Sequence, residues 1–367
     1  MFRRIRMPES PRVLHLSPTY FAEESVLGGA ERYVQGLASA MSARTPTTLV
    51  SFGPRPFEKF IDRLRMRVFK TWIEIGGNRL NPLDLRFLAE VARHDVIHCH
   101  QIHTVVTELV LTSARLLRKP VFLTDHGGGG RTFLHRLGIA RSARALLADS
   151  EYAKSRGEIE GVPGYAIYGG IDTSKFRPVA RARVPRRVVT VGRMLSHKGF
   201  HHLLRALEAI PEAEIVFMGA ASDSAYVDLL KRIAGKRQVT WMMNATDAEM
   251  IEGLGSAQLA VFPSTRIGPS GEKLSGEPEL FGQTPLEAMA CGTPSLVSDV
   301  GSYPEIALSE KMVFSDGDVT SLTAMIKSLL DDPDRCAELG KSARRHVEEK
   351  FTWNHVVDRC LEHYSNR

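Results

Sequence analysis

Ten short apolar runs, rich in β-branched residues and each followed by a stretch of helical period, constrain this 367-residue chain more than any other feature. Five lie in the first half: V-L-H-L from Val13, T-T-L-V-S-F from Thr47, D-V-I-H from Asp95, V-F-L-T from Val121 and A-L-L-A from Ala145. Five more lie in the second: V-V-T-V-G from Val188, E-I-V-F-M-G from Glu214, V-T-W-M from Val239, L-A-V-F-P-S from Leu259 and S-L-V-S from Ser295. Such alternation describes a parallel sheet covered by helices. After Ala30, for example, Val34, Leu37, Ala38 and Met41 keep the spacing of one buried helical face. Between the two series, Phe176 to Arg187 is basic and broken by two prolines, the composition of an exposed linker. The expected organisation is α/β, with one doubly wound domain over residues 1–178 and another over 185–367. Sheets of this type bind ligands beyond the carboxyl ends of their strands, so the informative residues should follow the runs.

Composition narrows the partners. Apolar residues at 43% and charged residues at 25% exclude a disordered or collagen-like chain. The first residues, M-F-R-R-I-R-M-P-E-S, carry charge without a following apolar stretch, which predicts neither a secretory signal nor a spanning helix and a cytoplasmic location. Cys99, Cys291, Cys336 and Cys360 show no C-x-x-C spacing and are expected to be small buried side chains. A net charge of +6 favours anionic partners, whether nucleotide, phosphate or anionic lipid. Nucleic acid is not expected, since no zinc finger, RNA-recognition signature or basic aromatic platform is present.

The most specific motif is E-L-F-G-Q-T-P-L-E-A-M-A-C-G-T-P, from Glu279 to Pro294. Thr284 and Pro285 read as N-cap and first residue of a short helix that Gly292 stops. Glu287 then falls at the third helical position, where it could simply complete a T-x-x-E capping box. With Glu279 in the entering loop, the same residue makes a pair of carboxylates, acceptors suited to the vicinal hydroxyls of a sugar or ribose. A second motif, V-T-V-G-R-M-L-S-H-K-G-F from Val188, sets Arg193 and Lys198 between a strand end and a helix start, an arrangement suited to a diphosphate. A third, Leu27-Gly28-Gly29-Ala30-Glu31, leads the first strand into the first helix. Paired glycines allow a ligand close to the backbone amides, while Glu31 suits either a first-turn charge or an acceptor contact.

Together these stretches resemble the GT-B fold glycosyltransferases, most closely the retaining family 4 (group 1 glycosyl transferases), whose E-x7-E motif is mirrored by Glu279 and Glu287. The resemblance spans nearly the whole chain and includes D-V-I-H-C-H from Asp95, D-H-G-G from Asp125, A-D-S-E-Y from Ala148, G-G-I-D from Gly169 and F-P-S from Phe262. It implies two doubly wound Rossmann-like domains facing a central cleft, and a hexosyltransferase acting with retention on a nucleoside diphosphate sugar. The acceptor would be a sugar, a lipid-linked sugar or a small molecule, in surface polysaccharide or glycolipid synthesis. By the same resemblance Glu279 contacts the donor sugar, Glu287 the ribose, Arg193 and Lys198 the diphosphate, and His126 stands beside the sugar. Gly28 and Gly29 would face phosphate, and the amides after Gly282, at Gln283 and Thr284, would supply a second phosphate contact. The last helix, near Trp353 to Tyr364, would cross back to the first domain. Neither cofactor nor metal is expected beyond the nucleotide-sugar co-substrate, because Arg193, Lys198 and helix N-termini can take the charge a cation would otherwise carry. The competing readings are a nucleotide-sugar epimerase or phosphorylase of the same fold, and a catalytically silent nucleotide-sugar-binding protein.

The chain departs from the family where Y-G-G, at Tyr168 to Gly170, replaces the usual P-N-G, and where Thr265 to Pro278 is longer and reads as a donor lid. Three further features carry weaker expectations. His98, Cys99, His100 and His103 look like metal ligands, but strand alternation turns Cys99 away, so a packed or cleft-lining role is expected. Asp316 and Asp318 spell D-x-D yet precede a helix at Val319, which predicts capping. Phe57, Phe60, Ile61, Leu64, Val68 and Trp72 keep helical spacing opposite Arg63, Arg67 and Lys70, predicting an amphipathic helix that packs in the core or meets an anionic membrane at the cytoplasmic face.

Overall fold

The computed structural model describes residues 10–21, 28–127, 137–275 and 279–365. The chain divides into two compact units, Met1–Gly170 with Trp353–Arg367, and Ile171–Thr352. Leu27, Gly128 and residues 276–278 of the expected lid lie outside the described residues.

The first unit runs β1 (Val13–Leu16), α1 (Gly29–Ser42), β2 (Thr47–Gly53), β3 (Phe57–Ile61), β4 (Leu64–Lys70), β5 (Ile73–Glu74), β6 (Pro82–Leu83) and α2 (Leu88–Arg93). It continues through β7 (Val96–His100), α3 (Val105–Leu116), β8 (Val121–Thr124), β9 (Ala145–Ala148), α4 (Glu151–Arg156) and β10 (Gly164–Ala166). Its sheet has the order β10-β9-β8-β7-β1-β2-β4-β3, parallel except for the edge strand β3. Val13, Val96, Phe122 and Leu147 on one face of that sheet pack against Leu37 and Met41 of α1.

The segment Phe57 to Trp72 is a hairpin, not the expected helix: β3 and β4 pair antiparallel from Phe57↔Val68 to Ile61↔Leu64. The reason is visible in L-R-M-R-V, where Leu64, Met66 and Val68 are buried and alternate with Arg65 and Arg67 at a period of two. Asp62, with a φ of 51°, makes the turn. Arg65 and Arg67 do not form a solvated face either; they meet the buried Glu90 of α2 at 3.2 and 2.6 Å.

The second unit begins with β11 (Val184–Val191), α5 (Phe200–Leu207), β12 (Glu214–Met218), α6 (Ser224–Ala234), β13 (Val239–Met242), α7 (Asp247–Ser256) and β14 (Ala257–Phe262). It ends with α8 (Gln283–Ala290), β15 (Ser295–Ser298), α9 (Tyr303–Ile306), β16 (Val313–Phe314), α10 (Val319–Leu330) and α11 (Pro333–Lys350). Its six strands are all parallel, in the order β13-β12-β11-β14-β15-β16. Phe200, Leu203, Leu207, Leu230 and Ile326 from α5, α6 and α10 fill one side of the sheet.

The passage between units falls at Gly170–Ile171, so residues 176–187, several of them exposed, belong to the second unit and do not link the two. Phe176 is buried, and the Arg183 guanidinium donates to the carbonyls of Ala257 and Gly292 and to Thr293 Oγ1. Those carbonyls follow the ends of α7 and α8, where helix carbonyls need outside donors and a cation is favoured. The final helix, α12 (Trp353–Ser365), belongs to the first unit, where Val356, Val357, Cys360 and Tyr364 complete its core. At Gly36 of α1 an added Cβ would lie 2.3 Å from the Trp353 ring, which is why a glycine stands there.

Candidate functional site

In the second unit the loop after β11 is held by close backbone approach. Gly199, with a φ of +66°, caps α5, and a Cβ there would stand 1.7 Å from the Pro263 carbonyl oxygen. The left-handed conformation and the contact both demand glycine. The loop is tied to the end of β14 by the Thr265 amide, which donates to the His197 carbonyl at 2.8 Å. Lys198 is thereby brought to Glu279, its Nζ donating to Oε1 at 2.5 Å, and Ser264 Oγ donates to the same oxygen at 2.5 Å. Glu279 is only 7% exposed, and its carbonyl accepts from the Ser302 amide. The Tyr303 hydroxyl lies 3.3 Å from Ser264 Oγ; burial, and then the Glu279 charge, push its pKa well above the ordinary value. His197 is pushed down to about 4 by burial and by Lys198, so it is neutral near pH 7. Arg193 leaves the end of β11 exposed to solvent.

Glu287 is buried in α8, but not as a capping residue. The N-cap is Gly282, with a φ of 85°, so Gln283 and Thr284 are the first two helical residues, Pro285 the third, and Glu287 falls in the second turn. The T-x-x-E box does not form, because Tyr303 and Ile306 pack so closely on Gly282 that an added Cβ would lie 2.5 Å from the Tyr303 ring. A glycine, free to turn left-handed, therefore starts the helix two residues early. Of the two aspartates of D-x-D, Asp318 caps α10 through Ser321, whereas Asp316 accepts from Thr265 and Arg266. Ser264 and Tyr303 were not singled out from the sequence, although Ser264 ends the quoted F-P-S.

In the first unit Gly28 caps α1 and its amide donates to Glu31 Oε2 at 2.9 Å, so Glu31 is the first-turn charge and Gly29 carries the neighbouring amide. His126, beyond the end of β8, has a side chain 4% exposed. Its Nδ1 lies 2.8 Å from Asp149 Oδ2 and its Nε2 lies 3.1 Å from His100 Nδ1; His100 Nε2 in turn lies 2.9 Å from His15 Nδ1. Burial alone would lower the pKa of His126, but the Asp149 carboxylate, with Asp125 and Glu31, raises it. Burial lowers His15 to about 3 and takes His98 and His100 well below the usual value. Cys99 faces the opposite side of β7, near Thr107, and all four cysteines are free and buried.

Residues 27–175 match the family described as Glycosyltransferase Family 4, and residues 172–346 match that described as Glycosyl transferases group 1. The chain is 31% identical over 193 residues to an alpha-maltose-1-phosphate synthase of Mycolicibacterium smegmatis, covering 48% of this chain and 47% of that protein. It is 29% identical to a GDP-mannose-dependent monoacylated alpha-(1-6)-phosphatidylinositol monomannoside mannosyltransferase of Corynebacterium glutamicum, over 63% of this chain and 64% of the relative. The chain thus spans about half to two thirds of the length of these curated relatives. Among solved structures it is similar to the sucrose-phosphate synthase of Thermosynechococcus elongatus, with a TM-score of 0.73 at 21% identity, over 96% of this chain and 98% of that one.

Proposed function

The chain belongs to the group 1 glycosyl transferases of GT-B fold, and from that membership we propose that it moves a hexosyl group from a nucleoside diphosphate sugar to an acceptor hydroxyl, with retention of configuration. The observation that carries the proposal is the Lys198–Glu279 pair at the carboxyl end of β11. Lys198 and Ser264 both donate to Oε1 of Glu279, and Oε2 is the atom we assign to a sugar hydroxyl. Lys198 and Arg193, with the amides at Gly282, Gln283 and Thr284 that open α8, take the diphosphate. Fixed positive charge and backbone dipoles of this kind stabilise a departing diphosphate without reorganisation, so transfer proceeds without a divalent metal. Glu287 takes the ribose diol. In the first unit Gly28 and Gly29 are assigned to phosphate and His126 to the sugar, as the resemblance implies.

We assign the acceptor to the sugars or lipid-linked sugars of surface polysaccharide or glycolipid synthesis, in the cytoplasm or at the cytoplasmic face of a membrane. No helix among the described residues is long and apolar enough to cross a membrane. Peripheral contact with anionic lipid is supported by exposed Trp72, Ile73 and Leu85 with the cations Lys70 and Arg86 within 6 Å of the Trp72 ring. The test is release of nucleoside diphosphate from UDP, GDP and ADP sugars in excess chelator, with and without acceptor. Stimulation by an acceptor supports the proposal. Activity that returns only on adding magnesium or manganese removes the metal-free mechanism, and no release from any donor removes the transferase reading.

A further inference from the structure

The histidines of the first unit form a directed chain, and hydrogen-bond rules fix its direction. An ionised carboxylate only accepts, so His126 Nδ1 must carry the proton it shares with Asp149. When His126 is neutral its Nε2 is then a bare acceptor, which makes His100 Nδ1 the donor to it. The same step repeats: His100 Nε2 accepts and His15 Nδ1 donates. The chain ends on His15 Nε2, a lone pair in a fully buried ring with no partner among the described residues. An unpaired buried acceptor is unfavourable.

The neighbouring His98 stands outside this chain. Thr124 gives its hydroxyl proton to the Leu147 carbonyl, so it accepts from His98 Nε2, and His98 Nδ1 accepts from the Tyr364 hydroxyl. The ligand atoms of His15, His98 and His100 lie within 4.8 Å of one another, a spacing that a metal could use. Both nitrogens of His98 are already satisfied, however, and His15 and His100 bond to each other, which leaves one lone pair where a metal needs three.

We propose that His15 and His100 are positioning residues that act through His126, the three rings forming a proton relay whose resting polarity Asp149 imposes. A proton from bulk water that reaches His15 Nε2 releases the Nδ1 proton of His15 to His100 Nε2, and the Nδ1 proton of His100 passes to His126 Nε2. One proton is added, no ring turns over, and the positive charge appears at His126 beside Asp149. The groups that face His126 favour this end state. Asp125 and Glu31 add negative charge from the loop after β8 and from α1, while His98 from β7 stays neutral. Tyr33 of α1 and Tyr364 of α12, whose pKa values burial raises well above the ordinary value, are neutral as well. The consequence for turnover rests on the assignment of His126 to the donor sugar.

The test is nuclear magnetic resonance of the full chain with nitrogen-15-labelled histidine. At high pH the rings of His15, His100 and His126 should all be protonated at Nδ1, the opposite of the form a free imidazole side chain favours. On acidification His126 should become the cation while His15 and His100 switch to the Nε2 form, all with one midpoint. Asp149→Asn should move that midpoint down by roughly one to three pH units. His100→Gln should leave His126 titrating while His15 no longer follows it. Separate midpoints, or His15 and His100 protonated at Nε2 at high pH, overturn the relay. So does a shift of His15, His98 and His100 together on adding one equivalent of zinc, which would mark a metal site. With a donor in hand, His100→Gln should displace the acid limb of the kcat profile while KM for that donor changes less than about twofold. Rings that switch together beside an unmoved profile would leave the relay standing and remove His126 from the reaction.

Discussion

Each unit places a cation against a carboxylate just beyond a parallel strand, yet the two pairs are built differently. Lys198 and Glu279 in the second unit form an ammonium–carboxylate pair, braced by Ser264 and near Tyr303. His126 and Asp149 in the first unit form a pair whose charge depends on one proton, wired to two further imidazoles. The same position in a sheet can therefore hold an aliphatic ammonium or an imidazole whose charge depends on its carboxylate. The choice follows from what surrounds the pair. A lysine side chain still 19% exposed keeps its ammonium hydrated, whereas a ring buried among other rings can be charged only beside its carboxylate.

The largest effect should come from breaking the Lys198–Glu279 pair. Lys198→Met should lower turnover by about 10²- to 10³-fold, the loss typical of one preorganised charge donor, and Glu279→Ala should do so while nearly sparing affinity for free nucleoside diphosphate. Steady-state kinetics beside calorimetric titration checks both. An unimpaired Lys198→Met enzyme would mean that the second unit does not supply the charge.

The conditional pair should be visible in stability. His126 has a raised folded pKa, so its contribution is complete below the unfolded value of 6.5 and disappears as pH rises through the folded one. His15 and His197, lowered to about 3 and about 4, act in the other sense: what they contribute is present above 6.5 and is lost as pH falls through those values. Urea titrations between pH 4 and 9 should therefore show stability falling on both sides, and Asp149→Asn should abolish the alkaline decline alone. If that variant leaves the alkaline limb unchanged, the pair is not what titrates there.

Smaller effects sharpen the second unit. With Gly282 as the N-cap, Glu287→Gln should change the melting temperature little and weaken nucleoside diphosphate binding about tenfold, as for a lost hydrogen bond to a charged group. A variant that melts earlier but binds normally would return Glu287 to a structural role. The smallest change belongs to exposed Arg193, where Arg193→Gln should weaken nucleoside diphosphate a few-fold and shift stability by no more than about 0.5 kcal/mol.

Ten of the strands were legible because each is a short apolar run between turn signals, and the motif residues were legible because they follow those strands directly. Four features were not. In Phe57 to Trp72 a period of two coexists with apolar residues three and four apart, and only the pairing of β3 with β4 decides between them. At Thr284 the local signal for an N-cap is sound, but Tyr303 and Ile306, distant in sequence, select Gly282 instead. The histidine chain draws on β1, β7 and the loop after β8, so no window of sequence contains it. Arg183 was hidden similarly: its prolines and charges resemble a linker until the carbonyls it satisfies are known.

The seat of α12 against Gly36 has a consequence for how the chain is made. The first unit lacks Val356, Val357, Cys360 and Tyr364 until residues 171–352 have been synthesised. At ribosomal speeds of 5–20 residues per second, that interval lasts about 10 to 35 s. During it α1 would present an open groove beside Tyr33 and Leu37, a surface for chaperones to hold. The second unit can close on itself while the first waits, so the order of maturation reverses the order of translation. A released chain truncated before Trp353 should accordingly show a protease-sensitive first unit beside a resistant second one.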